Sequence, residues 1–251
     1  MILKTSNIRY MKLIGISLLL AAVSLPFNAR TDAAGNSNPA LQRAALVNNE
    51  QKLTASDVRR GHRFGFSVAI SGSILVVGAE GDVLNDNTQD AVYIFERQAG
   101  SWVETQRLSA SDGLPTHGFG LSVAIGGSTI LVGAPFDSIS GNNQGSVSVF
   151  ERQGQSWVET QKLTGSDGTG GEFGRSVAFS GSTLVAGASE SAFVFERHGG
   201  SWIETQKLTT NELFEDFGRS VEVSGSTVFV GAPFATIDGT FARGAVYVFG
   251  P

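Results

Sequence analysis

The side chains best suited to hold a metal ion belong to one polar loop, Asp82–Asp90. Within it Asp86, Thr88 and Asp90 stand at alternate positions, so their side-chain oxygens could face one cation. The spacing lacks the glycine and the closing glutamate of an EF-hand loop. We therefore interpret this loop as a solvated polar connection, and we assign no metal-binding residue and no cofactor to the chain.

Two of the three histidines stand at matching positions, two residues before a Phe-Gly pair. These are His62 and His117, and two imidazoles brought to one face could bind a metal or act as acid and base. Either use needs a further ligand or nucleophile, and the sequence offers none. We expect both to be loop side chains exposed to solvent, like His198 in its glycine-rich turn.

The sequence predicts no catalytic residue. The patterns GxSxG and HExxH are absent, and the glycine-rich stretch 168–174 precedes a predicted strand rather than a helix, which disfavours phosphate binding. The other charged groups recur along the chain and are interpreted as surface pairs or turn formers. They are the Glu-Arg pairs at 96–97, 151–152 and 196–197, and Asp112 and Asp167, each in a Ser-Asp-Gly string.

Composition narrows the class of protein further. The 251 residues include 32 glycines and no cysteine, which excludes disulfides, thiolate metal sites and a cysteine nucleophile. A formal net charge of −5 disfavours a nucleic-acid partner, and 41% hydrophobic residues are too many for a disordered chain. The chain is expected to fold by packing alone.

The N-terminal segment reads as an export signal. Basic residues precede an apolar stretch from Leu13 to Leu25, which is shorter than a membrane-spanning helix needs. We predict a signal peptide over residues 1–33, cleaved after Ala29 or Ala33, with a retained anchor as the alternative. Residues 34–45 are predicted to be a linker, and the location is predicted to be secreted or periplasmic.

The rest of the chain, residues 46–251, consists of four copies of one unit. Each copy has a Phe-Gly pair, a Gly-Ser turn, an apolar run ending in Gly-Ala and an aromatic strand, and three copies continue into a Ser-Trp-(Val/Ile)-Glu-Thr-Gln string. The Phe-Gly pairs lie at 64–65, 119–120, 173–174 and 217–218; the aromatic strands lie at 91–95, 146–150, 191–195 and 245–249; and the Trp strings lie at 101–108, 156–163 and 201–208, with a degraded copy at 47–53.

These units predict an all-β fold of the propeller type. Short runs rich in Val, Ile and Phe, separated by Gly and Ser, are typical of antiparallel strands. The run Ile74–Ala79 is apolar throughout, so both of its faces should be covered by neighbouring sheets, as in sheets stacked around an axis. The polar Trp string should be the outermost strand. We predict four blades of four strands, near 54–108, 109–163, 164–208 and 209–251 plus 47–53.

The two ends of the chain complement each other in strand content. The N-terminal copy supplies only an outer strand near Gln51–Leu53, and the C-terminal copy lacks one. We therefore hypothesise that this strand pairs with residues 245–249 and closes the ring, which would remove two exposed strand edges. A truncated chain whose ends fall there by chance is the alternative.

The Phe-Gly and Gly-Ala-Pro strings resemble FG-GAP repeats. Phe119-Gly120 with Gly133–Pro135, and Phe217-Gly218 with Gly231–Pro233, carry the full pattern. Such repeats build the propeller of integrin α-subunits and of secreted bacterial proteins, so the resemblance implies extracellular recognition or adhesion. The family usually has seven blades, so four could form a small ring, an open arc or a ring built from two chains. The Ca²⁺ loop of integrin repeats is replaced here by turns without carboxylates, so that site is not carried over.

We expect a secreted, non-enzymatic recognition module that binds an extracellular protein or glycan. The contact surface should be the variable loops 80–90, 134–145 and 232–244, together with the segments before each Phe-Gly pair. The acids Asp137 and Asp238 lie in the second and third of these loops. Two alternatives are a structural or self-associating propeller fragment, and a hydrolase-like enzyme with its site at the propeller axis.

Overall fold

Every regular element in the described part of the protein is a β-strand. The computed structural model describes residues 50–57, 61–81, 90–112, 117–139, 143–166, 168, 171–211 and 215–250, and these contain fifteen strands and no helix. The predicted signal peptide and linker lie outside these residues. Within them, no helix is long and apolar enough to cross a membrane.

The strands follow the four repeats. The first blade contains β1 (Phe64–Ser71), β2 (Ile74–Ala79), β3 (Ala91–Gln98) and β4 (Ser101–Leu108); the second contains β5 (Ser122–Gly126), β6 (Thr129–Ala134), β7 (Ser146–Gln153) and β8 (Ser156–Leu163). The third contains β9 (Ser176–Ser180), β10 (Thr183–Ala188), β11 (Ser191–His198) and β12 (Ser201–Leu208); the fourth contains β13 (Ser220–Ser224), β14 (Thr227–Ala232) and β15 (Ala245–Phe249).

Each blade is an antiparallel meander whose strands lie side by side in chain order. Two-residue turns with a glycine at positive φ, such as Gly72 at 58°, join the first and second strands, because glycine adopts that conformation without steric cost. The strand with the Trp string is the outermost one in the first three blades, as predicted. The protein is thus an all-β propeller of four blades, which confirms the predicted fold class.

The hydrophobic core lies between consecutive blades rather than within one sheet. One cluster joins Val92 and Ile94 of the first blade to Phe119, Ile130 and Phe150 of the second, and similar clusters follow at the next two interfaces. The innermost strands pack in series, β1 on β5, β5 on β9 and β9 on β13. The Phe of each Phe-Gly pair anchors its blade through edge-to-face contacts, for example between Phe119 and Phe150 at 6.1 Å.

The Glu-Thr-Gln part of the Trp string fastens one blade to the next. A bulge at Thr105 shifts the register of β4 against β3, since Ile94 faces Gln106 while Phe95 faces Glu104. The Gln106 side-chain amide then donates to the main-chain carbonyl of Trp157 and accepts from the main-chain N–H of Trp157, each at 2.8 Å. Gln161 makes the same two bonds to Trp202. The repeated string therefore holds neighbouring outer strands together.

The predicted closure of the ring is not what the structure shows. The fourth blade has three strands, and β15 pairs only with β14 among the described residues. Gln51 bonds the main chain of Trp102 at 3.0 and 2.9 Å, as Gln106 bonds Trp157. The segment is thereby held against the first blade, in the place of a preceding blade's outer strand. The hypothesis of pairing between Gln51–Leu53 and 245–249 within the chain was wrong.

Candidate functional site

The loops that follow the Gly-Ala runs meet the segments before the Phe-Gly pairs at one edge of the blades. Main-chain bonds join them within a blade, as from Phe136 N–H to the His117 carbonyl at 3.0 Å, and between blades, as from Phe173 N–H to the Gln144 carbonyl at 2.9 Å. This edge, which we call the loop edge, carries the candidate functional residues. Here the loops that differ in sequence between the repeats are held in place by main-chain hydrogen bonds.

Asp90 serves the loop edge as a structural acceptor. Its buried carboxylate accepts hydrogen bonds from the N–H groups of Gly81 at 2.5 Å, Gly118 at 2.8 Å and Phe119 at 3.2 Å. Gly118 and Phe119 belong to the next blade, so Asp90 joins two blades. The interpretation as a solvated side chain was wrong for Asp90, because folding buries unpaired N–H groups that need an acceptor. Asp86 and Thr88 lie outside the described residues.

Glu190 joins the third and fourth blades by accepting main-chain hydrogen bonds, as Asp90 joins the first and second. Its carboxylate accepts from the N–H groups of Asp216 at 2.9 Å and Glu215 at 3.2 Å. The Glu215 side chain is itself buried and accepts a hydrogen bond from the Tyr247 hydroxyl at 2.9 Å. These acids at the loop edge are thus occupied by internal partners.

The two matched histidines are not equivalent in the structure. His117 is half-buried, and its Nδ1 lies 3.0 Å from Asp137 Oδ1. His62 is buried, and its Nδ1 has no hydrogen-bond partner among the described residues. The expectation that both are exposed was wrong, and His117 is covered because it packs beside Asp137 in the loop that follows the Gly-Ala run of its own blade. His198 is exposed at a strand end, as expected.

Asp137 is the centre of a charged network in the second blade. Its side chain is 3% exposed and accepts hydrogen bonds from Ser146 Oγ at 2.7 Å and from Lys162 Nζ at 3.0 Å. Burial by itself would raise the Asp137 pKa, but the bonds from Ser146 and Lys162 outweigh it and hold that pKa below its usual value.

Lys162 joins this network to the linker before the second blade through Asp112. Burial works against its charge, but the hydrogen bonds to Asp112 and Asp137 prevail and raise the Lys162 pKa. Asp112 therefore forms an ion pair between linker and outer strand as well as a turn, and Asp167, its counterpart, lies outside the described residues. Ser146 is fully buried and donates to Asp137, so this network stabilises the loop edge and presents no accessible nucleophile.

The first blade has a related cluster around Asp57. The Tyr93 hydroxyl donates to Asp57 at 2.5 Å, and Arg107 Nε lies 3.3 Å from the same carboxylate. Burial and the bond to Asp57 raise the pKa of Tyr93 to about 12. Burial opposes ionisation of Asp57, but the bond from Tyr93 and the charge of Arg107 lower its pKa overall. Arg107 and Lys162 occupy the same repeat position, so both clusters fasten a linker to its own blade.

The Glu-Arg pairs are bridges between blades rather than isolated surface charges. Glu96 of the first blade binds Arg152 of the second at 2.6 Å, and Glu151 binds Arg197 at 3.1 Å. Arg152 also lies over the Trp157 ring, 5.5 Å from its centroid. The interpretation as simple surface pairs was wrong, since the next blade brings a partner within reach that the linear sequence does not reveal.

The fourth blade carries a pair of exposed aromatic side chains at the loop edge. Phe234 and Phe241 are 47% and 66% exposed, and their rings stack at 6.4 Å with an interplanar angle of 12°. Between them Ile237 and Thr240 exchange main-chain bonds of 3.1 and 2.9 Å around Asp238 and Gly239, whose φ values are 51° and 71°. We call residues 234–241 the aromatic hairpin.

A sequence signal for the aromatic hairpin exists and was missed. Asp-Gly is the preferred pair for a two-residue turn in which both residues have positive φ. Asp238 was interpreted only as a lone acid of a variable loop, whereas it forms the first turn residue and lies 3.5 Å from Arg243. No group of three or more His, Asp or Glu side chains that could hold a metal ion occurs in the described part of the chain.

Comparisons with known proteins agree with this architecture. No curated protein matches the sequence. Among solved structures, a protein from Bacteroides uniformis provisionally named a 6-phosphogluconolactonase is similar, with a TM-score of 0.51 and 15% identity over 74% of this chain. The match covers 53% of that protein, so this chain spans about half of its length, and the likeness extends to the fold alone.

A family match covers most of the blades. The sequence model of the FG-GAP repeat matches four times, at residues 47–95, 102–150, 157–201 and 202–249. These segments together make up more than half of the chain, and each contains one Phe-Gly corner. The chain belongs to the FG-GAP repeat family.

Proposed function

We propose that this protein is an exported, non-enzymatic recognition module that binds an extracellular protein or glycan at its loop edge. The observation that carries the proposal is the aromatic hairpin. Phe234 and Phe241 are stacked and exposed on a turn that main-chain bonds hold in one conformation. Rigid aromatic side chains give large contact area at little entropic cost.

The charged groups of the loop edge support binding rather than catalysis. Asp137, Lys162 and Ser146 are bound to one another, and Asp90 is bound to main-chain N–H groups. Groups held in this way stabilise a surface, whereas acid–base catalysis needs a titratable group within reach of the substrate. The structural neighbour's name gives no reason to prefer an enzyme, because 15% identity reflects the fold only.

The binding proposal is tested on an array of immobilised glycans and extracellular matrix proteins. The unmodified protein is expected to bind at least one probe, and the double variant Phe234→Ser, Phe241→Ser to bind it at least about tenfold more weakly, since burying one Phe contributes roughly 1.5–3 kcal/mol. Val158→Ser is the matched control, because Val158 is also exposed but lies on the outer strand β8. Equal binding by the double variant, or no binding by the unmodified protein, would contradict the proposal.

Export is tested separately on cells that express the full chain. The N-terminal basic and apolar stretches predict that the protein leaves the cytoplasm and begins after Ala29 or Ala33. Fractionation followed by N-terminal sequencing measures both. An intact Met1 on protein found in the cytoplasm would contradict export without affecting the binding proposal.

A further inference from the structure

Consecutive blades are joined by one repeated contact, in which a Phe-Gly corner enters a socket on the preceding blade. The Gly120 carbonyl accepts a hydrogen bond from Ser67 Oγ at 2.6 Å and lies so close to Gly78 that a Cβ there would be 2.1 Å away. The same contact recurs twice: Ser122 and Gly133 receive Gly174, and Ser176 and Gly187 receive Gly218. Each socket is thus a Ser and a Gly on adjacent strands, and each corner supplies a carbonyl.

Among the residues that the structure describes, one corner and one socket have no partner. Gly65 has a φ of 91°, the same as Gly120 and Gly174, yet a Cβ at Gly65 would meet nothing within 4 Å. On the fourth blade a Cβ at Gly231 would meet only Ser220, the serine of its own socket. Within the described part of the chain, the first corner therefore has the docking conformation but no socket, and the last socket has its serine but no corner.

The empty socket is an open pocket. It has a volume of about 410 Å³, and its lining includes Arg219, Ser220, Gly231, Ala232, Ala245 and Val246. The equivalent space in the first three blades is filled by the corner of the next blade. The fourth blade therefore has an open site whose shape matches a Phe-Gly corner.

The apolar residues exposed at the two ends are those that this contact buries elsewhere. Val246 and Val248 are 66% and 61% exposed, whereas Val92 and Ile94, at the same repeat positions, are fully buried against the second blade. On the first blade, Val68 and Ile70 of β1 are 65% and 61% exposed. Their counterparts Val123 and Ile125 are packed against the first blade.

We propose that two copies of this chain dock head to tail, with the Phe64-Gly65 corner of each copy in the Gly231 socket of the other. The two faces are the two halves of a contact that already occurs three times in the chain, so a second copy is complementary to both. A head-to-tail contact closes when its rotations complete a ring. Two copies make eight blades, which lies at the upper end of the usual range of propellers.

The N-terminal segment fits the same arrangement. Gln51 is bound to Trp102, so residues 51–53 lie where a preceding blade would have its outer strand. The strand β15 lacks an outer neighbour among the described residues. In the docked pair, residues 51–53 of one copy lie beside β15 of the other and supply the fourth strand that the blade lacks.

One residue weakens this contact relative to those within the chain. Glu222 of β13 stands where the first three blades have Ala69, Ala124 and Ala178, and Ala178 belongs to the core between the third and fourth blades. A carboxylate on an apolar docking face costs desolvation free energy. The substitution Glu222→Ala should therefore tighten the pair of copies.

The proposal is tested by the mass of the full chain in solution, from light scattering or sedimentation between about 1 and about 100 µM. Two chains of 26.3 kDa each, less any cleaved signal, are expected per particle. Gly231→Ala should give one chain, because its new methyl group occupies the place of the incoming carbonyl. Val158→Asp changes an exposed position away from both ends, so particles of this variant should still contain two chains.

Mixing two variants identifies the head-to-tail geometry. Val68→Asp and Val248→Asp each alter one exposed end, should each be monomeric, and should keep the melting temperature of Gly231→Ala. An equimolar mixture has one unaltered corner and one unaltered socket, so mixed pairs should form. The proposal would be overturned by an unmodified chain that stays monomeric or that forms particles of more than two chains. It would equally be overturned by a mixture of the two variants that stays monomeric, or by a Glu222→Ala variant whose pairs dissociate more readily.

Discussion

Adding one methyl group to Gly133 tests the contact between the second and third blades. An alanine Cβ at this position would lie 1.9 Å from the Gly174 carbonyl oxygen and 2.3 Å from Ser122 Oγ. The backbone oxygen cannot rotate away, so the two blades must separate, and the bond from Ser122 to Gly174 is lost. Overpacking costs about 1–3 kcal/mol and the lost hydrogen bond about 0.5–1.5 kcal/mol.

The expected loss is about 2–4 kcal/mol of unfolding free energy for Gly133→Ala. For a domain of this size that lowers the melting temperature by roughly 5–15 °C. The matched control is Gly231→Ala, where the same methyl group meets only the hydroxyl of Ser220, which can rotate.

The comparison is made by circular dichroism melting in the Val68→Asp background, so that docking between copies does not contribute to stability. Gly231→Ala should melt within about 2 °C of that background, since surface changes usually alter stability by less than about 0.5 kcal/mol. Equal melting temperatures for the two alanine variants would refute the reasoning that the Phe-Gly corners hold the blades together.

Three further changes test other contacts. Gln106→Ala removes both bonds to the next outer strand and should lower the free energy of unfolding in urea by about 1–3 kcal/mol, while Gln206→Ala, which has no described partner of this kind, should cost nothing measurable; the reverse order would contradict the role of Gln106 in holding neighbouring outer strands together. Asp90→Ala leaves three buried N–H groups unpaired and should cost about 3 kcal/mol or more, and a soluble variant of unchanged midpoint would contradict its role. The lowered pKa of Asp137 means that its contribution is present above the ordinary carboxyl pKa and is lost as pH falls through the folded-state value, so Asp137→Asn should flatten the decline of unfolding free energy toward about pH 3; an unchanged pH profile would argue against the network.

Much of the fold could be predicted because each local pattern occurs in several copies of the repeat. Four Phe-Gly pairs, four apolar runs and the outermost place of Trp102 are all properties of short segments, and short segments determine strand and turn formation. Once the strands were assigned, continuously apolar runs without helices required sheets on both sides. The propeller was therefore accessible from the sequence.

The contacts between blades were harder to foresee, because they join residues far apart in the chain. Glu96 and Arg152 form an ion pair across 56 positions, and Gln106 reaches Trp157 across 51. In the linear sequence these side chains look like surface polar residues. The failed closure has the same origin, since the complementary ends of the chain did not reveal that β15 pairs only with β14 among the described residues.

The sequence indicated which loops would carry a contact surface, which stays a prediction, but not the chemistry of their side chains. The variable loop 232–244 was identified as a contact surface, yet its exposed aromatic pair depends on a turn at Asp238 that brings Phe234 and Phe241 together. The polar side chains that looked functional, such as Asp90, proved to be acceptors for buried main-chain groups. In the sequence, a carboxylate near a Phe-Gly pair looks the same whether it binds a ligand or accepts hydrogen bonds from buried main-chain N–H groups.

Hydrogen exchange at the four Phe-Gly corners, followed at low and at high protein concentration, tests the central claim most directly. The corners at Gly120, Gly174 and Gly218 lie inside sockets of the preceding blade, and their N–H groups bond glycine carbonyls of their own blade at 3.0, 2.9 and 3.1 Å, so they should be protected at every concentration. The corner at Gly65 should exchange fast in dilute solution and become protected only as copies dock. Fast exchange at all four corners would contradict the packing of the blades, and fast exchange at Gly65 at every concentration would contradict the docking of two copies.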